Sequence, residues 1–146
     1  MELCLQEQFN PTNACFGCGT ANEQGLRLRS FARGDEVVAE WSPQPHLQAF
    51  PDILCGGVIG TLLDCHSNWA GAWAIMGKTA APKPPWVVTD EYSVKLLKPA
   101  PLDRPLHLTA RALQVSAKRA VVDASMHADG KVFAVCRGTF VVFNPR

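Results

Sequence analysis

Residues 55–77 read CGGVIGTLLDCHSNWAGAWAIMG, and the fold turns on this stretch. Two glycines open it, and apolar residues then recur at helical spacing. Ile59, Leu62, Leu63, His66, Trp69, Ala70 and Trp73 fall on one stripe, wide enough to bury against a sheet. Gly60, Asp64, Ser67 and Gly71 fall on a different face, roughly opposite. Such a helix buries nearly all round, with small residues and one carboxylate where something else approaches. A carboxylate buried among glycines near a helix start is costly. That cost makes Asp64 the candidate catalytic group, with Ser67 and Asn68 beside it as candidate substrate contacts.

On either side the period changes to two. Upstream, Leu26, Leu28 and Phe31 alternate with Arg27, Arg29 and Ser30, which predicts a half-buried strand. Arg33-Gly34-Asp35 turns the chain and Glu36 to Trp41 returns it. Ser42 to Leu54 holds three prolines and His46, and reads as a surface loop leading into the helix. Downstream, Lys78 to Pro85 stops the helix. Four strands are predicted after it: Trp86 to Leu97, Leu106 to Val115, Arg119 to His127 and, across Asp129-Gly130, Lys131 to Phe143. Meander connections favour antiparallel pairing. A helix with almost no polar face must be wrapped by that sheet. The expected class is α+β, an antiparallel sheet of five to six strands wrapped around a long central helix. Residues 1–146 are expected to form one domain, with 1–24 an irregular lead-in.

The 146 residues are 47% hydrophobic and 18% charged, with a formal net charge of +1. This is globular composition, and it gives no reason to expect nucleic acid or an acidic membrane as partner. The helical stretch approaches the length of a membrane span, but Asp64, His66, Ser67 and Asn68 at its middle count against insertion. The start, MELCLQEQFN, lacks the basic and apolar regions of a signal peptide, so a cytoplasmic location is expected. The six cysteines are accordingly read as reduced thiols. Cys15 and Cys18 form a Cys-x-x-Cys pair that invites a zinc reading. A structural zinc takes four ligands, and only Cys4 offers itself as a third, so no metal is expected. Cys55, Cys65 and Cys136 lie in apolar segments and read as packing residues.

Several of these residues together carry a likeness. Cys55-Gly56-Gly57, Asp64, Thr89 ahead of Lys98-Pro99, the Gly130-Lys131 hairpin and Arg137-Gly138-Thr139-Phe140 are five parts of it. The lead-in Cys15-Phe16-Gly17-Cys18-Gly19, with Asn22 and Gly25-Leu26, is another. The chain resembles the hot-dog fold acyl-CoA thioesterases of the phenylacetate-pathway type. The resemblance implies that Gly57 offers its backbone N–H to the thioester carbonyl. It implies that Asp64 is general base or nucleophile, and that Thr89 lies across a subunit interface and helps hold the water. It also implies a homodimer or a tetramer of paired dimers, with sites built from two chains. No cofactor is implied beyond the coenzyme A of the substrate. The chain departs from the family in carrying Cys55 where a His is frequent, and Ala49, beside Gln48, where an Asn or Gln is.

The chemistry is consistent with that likeness. Thioester hydrolysis needs a polarised carbonyl, an activated water and a leaving thiolate. Amides at the helix start suit the first, and Gly56 and Gly57 permit close approach. A partly buried carboxylate suits the second. Asp64 sits two turns along, roughly 10 Å from the helix start, so the amide is expected from a partner's helix. Cys55 and His46 are candidate contacts near that start. Lys118 and Arg119, at a strand turn, are candidates for the coenzyme A phosphates. Trp69, Trp73 and Trp86 suit either an acyl pocket or the core, and His66 the core. Two rival functions remain: a hydroxyacyl-thioester dehydratase using His46 with Asp64, and a protein that binds an acyl-CoA without turning it over.

Overall fold

The computed structural model describes residues 1–144; residues 145–146, at the end of the expected domain, lie outside the described residues. Its centre is one long helix, Gly56–Thr79, with Cys55 as N-cap. The helix ends where Ala80 turns left-handed at φ 54° and returns its N–H to the Met76 carbonyl. We call it α2; a short helix α1, Leu5–Phe9, precedes it. The strands are β1 Phe31–Arg33, β2 Glu36–Trp41, β3 Val87–Leu96, β4 Leu106–Val115, β5 Arg119–Ala128 and β6 Lys131–Val142. They form one sheet in the order β1-β2-β4-β5-β6-β3, antiparallel at every pairing. The sheet curls around α2, which packs against β2 through β6. This is the helix-in-sheet architecture the sequence predicts.

The turns follow from residue chemistry. Asp129 and Gly130 take φ of 52° and 76°, which lets β5 reverse into β6 across two residues. Because the chain crosses the inside of the sheet as α2, β3 does not continue from β2. It joins the opposite edge, beside β6, and leaves β4-β5-β6 as a three-stranded meander.

Four expectations need correction. The lead-in is not wholly irregular: α1 is fixed by a capping box in which Cys4 and Glu7 bond each other's backbone N–H. The strand expected from Leu26 to Phe31 is only Phe31–Arg33. Arg27 sits at φ 56°, and the Leu26 and Leu28 amides bond Phe16 and Gly17 carbonyls instead of β2. That segment pairs with the Cys15–Cys18 loop. On α2, Ser67 and Gly71 are buried while Trp69 and Trp73 are only partly so. The curl explains it: β5 and β6 reach round to the small-residue face, where a Cβ on Gly71 would touch Ala120, Val122 and Phe140.

Leu62, Leu63, Ile75, Leu106, Leu108 and Phe140 are fully buried in the space between helix and sheet. Each such side chain contributes about 1.5–3 kcal/mol over its exposed state. His66 lies in this core too, as expected. Its Nε2–H donates to the Val37 carbonyl at 2.8 Å, and its Nδ1 accepts from Ser30 Oγ at 2.9 Å. Gln6 bonds both the hydroxyl and the amide of Ser30, so α1 is latched to the core through a chain of satisfied polar groups. Burial holds the imidazole neutral, its pKa lowered to about 4. Among the described residues no helix is long and apolar enough to cross a membrane.

Candidate active site

Asp64 emerges from the third turn of α2 toward the end of the sheet where β3 begins. Thr89, on β3, donates its hydroxyl to Asp64 Oδ1 at 2.6 Å. The pairing depends on the curl, because β3 reaches this side of α2 only as the far edge of the sheet. Burial pushes the Asp64 carboxyl above its ordinary range, the Thr89 hydrogen bond pulls it down, and a negative charge on Cys15 would push it up again. The carboxylate is bonded neither to Ser67 nor to Asn68. The Asn68 side chain donates to the Val87 carbonyl at 3.0 Å. Ser67 is fully buried beneath the sheet, its Oγ without a hydrogen-bond partner and the Cys136 thiol beside it.

Asp64 and Thr89 stand on the wall of a cavity of ≈ 660 Å³. Three segments build it: α2 through Asp64, Cys65, Asn68 and Trp69; the strand entry from Lys83 to Thr89; and the lead-in from Phe9 to Cys18. It combines an apolar lining with a few polar groups, as small-molecule sites do. Trp69 and Trp86 line it and Trp73 does not.

Other expected contacts stand apart from this cavity within the chain. Gly57, exposed in the first turn of α2, has one of the helix amides that lack an intrahelical acceptor. Gly56 is close-packed, since a Cβ there would meet Leu96. Cys55 is half-buried, and its amide bonds the Leu47 carbonyl. His46 is exposed on the short 3-10 turn Pro45–Leu47. Lys118 and Arg119 are exposed at the β4–β5 turn, where the Lys118 carbonyl accepts from the Val142 amide. Thr89 bonds the Asp64 of its own chain. One placement corrects the sequence reading. Ser67 is withdrawn into the core by the wrap of β5 and β6, and is not a cavity contact.

The sequence reading missed the thiols. Cys15, Cys18 and Cys65 all line the cavity, and their sulfurs lie within 4.8 Å of one another. Cys15 and Cys65 approach to 3.8 Å although fifty positions separate them. The neighbouring thiols pull the Cys15 pKa down, while contact with its sulfur and burial push those of Cys18 and Cys65 up. The only signal in the sequence was the spacing of the first pair.

Known structures share this architecture. No protein-family model matches the chain, and no curated protein matches it significantly. A thioesterase superfamily protein from Shewanella loihica PV-4 is 25% identical, with 86% of this chain and 98% of that one covered and a TM-score of 0.68. A phenylacetic acid degradation-related protein from Ralstonia eutropha JMP134 is 19% identical over 80% of this chain and 86% of its own, with a TM-score of 0.66. The PaaI protein of the E. coli phenylacetic acid degradation operon is 16% identical over 82% and 81%, with a TM-score of 0.67. The fold is therefore the hot-dog fold of thioesterase superfamily proteins.

Proposed function

We propose that this chain is a thioesterase that hydrolyses a small or medium acyl-CoA, with Asp64 as general base or nucleophile. The observation that carries the reading is the placement of Asp64. It is half-buried on the central helix, held by Thr89 and open to an apolar-lined cavity. A carboxylate whose pKa is raised by burial is a stronger base than a solvated one. Trp69 and Trp86 supply the apolar wall for an acyl group. A thiolate leaves without strong acid assistance, so the chemistry needs only an oxyanion donor besides the base and water.

Within one chain the cavity lacks such a donor from the start of α2, since Gly57 is not on its wall. The reading therefore takes the amide from a second copy. The free edge of β3 favours pairing of two copies there. It is ten residues long, and Val88, Tyr92 and Leu96 on it and Trp86 and Leu97 flanking it are exposed. A long apolar edge left open is a pairing site. The six cysteines are free thiols, which suits a cytoplasmic setting. His46, exposed on its turn and off the cavity wall, gives no support to the dehydratase alternative.

Purified protein is incubated with a panel of acyl-CoA esters and a thiol-detecting reagent. Release of coenzyme A that falls by about 10²–10⁴-fold in Asp64→Asn, with ester binding retained, is the expected result. Turnover unchanged by that substitution removes Asp64 from the role. Tight binding without release from the wild-type chain makes it a binding protein.

A further inference from the structure

We propose that Cys15, Cys18 and Cys65 form a zinc site that fastens the lead-in segment to α2 beside the candidate catalytic carboxylate. The three sulfurs converge from two parts of the chain, all within 4.8 Å of one another. Zinc–thiolate bonds of about 2.3 Å in a tetrahedron set sulfur–sulfur edges of about 3.8 Å. Cys15 and Cys65 are 3.8 Å apart. A disulfide between them would need about 2.0 Å, and all three are free thiols.

The surrounding chain is built to hold this arrangement. Asn13 Oδ1 accepts from the Cys15 amide at 2.8 Å, and the Gly19 amide closes the turn on the Cys15 carbonyl at 2.8 Å. Gly17 lies so close to α2 that a Cβ would collide with Cys65 Sγ. The loop is thus pressed on the one helical residue that can supply the third thiolate. Leu26 and Leu28 hold the back of the loop through the Phe16 and Gly17 carbonyls.

Three thiolates suit a soft, thiophilic ion such as zinc and not magnesium or calcium. On binding, each of the three thiols gives its proton to solvent, and the site with Zn²⁺ carries one net negative charge. The fourth position of the tetrahedron is left to a water, because all three cysteines line the cavity. The same cavity is the entry path for the ion. The site does not depend on the thioesterase reading, and its test contains no measurement of activity.

The full chain is fully reduced, freed of metal with a chelator and titrated anaerobically with Co²⁺. The expected result is one cobalt per chain, with thiolate-to-cobalt charge-transfer absorption and the intense visible bands of a tetrahedral ion. Zinc should displace the cobalt and raise the melting temperature. Cys65→Ser and Cys18→Ser, each checked for folding by circular dichroism, should lose the charge-transfer absorption, and Cys136→Ser should keep it. Reduced wild-type protein that titrates six thiols yet gives no charge-transfer bands overturns the proposal. So do bands that persist unchanged in both Cys65→Ser and Cys18→Ser.

Discussion

Acidification tests the reading of the core around His66. The imidazole is fully buried and faced by the Ser30 hydroxyl and the Val37 carbonyl, neither of them charged. Its pKa is lowered from 6.5 to about 4 in the folded state. Between those values the unfolded chain binds a proton that the folded chain refuses, so stability rises with pH across that window. The contribution is complete above about 6.5 and is lost progressively as pH falls toward 4. That interval, at about 1.4 kcal/mol per pH unit, corresponds to about 3 kcal/mol. Urea unfolding of metal-free protein at pH 7, 5.5 and 4 and at fixed protein concentration measures it. His66→Gln serves as the reference, because it removes this proton site and leaves every other titrating group in place. The stability gap between wild type and His66→Gln should shrink by about 3 kcal/mol over the series. A gap that stays constant across the three pH values refutes the buried, neutral imidazole.

Four further substitutions probe the site and the packing around it. Thr89→Val removes the hydrogen bond to Asp64 while keeping shape, and kcat/KM should fall roughly ten-fold, the worth of about 1.5 kcal/mol in a hydrogen bond to a charged group. An unchanged rate makes the contact incidental. Gly17→Ala and Gly71→Ala should have opposite signs in thermal melts. The first drives a methyl into Cys65 Sγ and should cost about 1–3 kcal/mol. The second meets Ala120, Val122 and Phe140 at 3.5 Å, ordinary contact, and should gain up to about 1 kcal/mol of helix propensity. Ser67→Ala removes a buried hydroxyl that has no partner, and denaturant midpoints should stay level or rise.

Periodicity located most of the elements. The helix runs from Gly56 to Thr79 against an expected 55–77, and β4 matches its predicted ends. Such patterns are local, and a helix or strand announces itself within a window of a dozen residues. Non-local pairing is where the reading stopped. Nothing near Leu26 says that its amide will bond Phe16, so alternation was taken for a strand. An acid on α2 is legible in the helical pattern around Asp64, whereas its Thr89 partner, on a distant strand, enters only through the family likeness. Ser67 was placed on an open face because a helical wheel does not know how far a sheet will curl. Cys65 was read as filler for the same reason: the thiols it meets lie fifty positions away and across the wall of a cavity.

Much of the cavity's rim belongs to a segment that contributes no strand. Phe9, Asn10, Thr12 and Asn13 line the cavity, and Phe9 packs against the core as well. At Asn10 and Thr12 the wall can therefore be altered without a substitution in the sheet or in α2. A library confined to Asn10 and Thr12 would probe selectivity while leaving Phe9 in its packing against the core and Asn13 in its bond to the Cys15 amide.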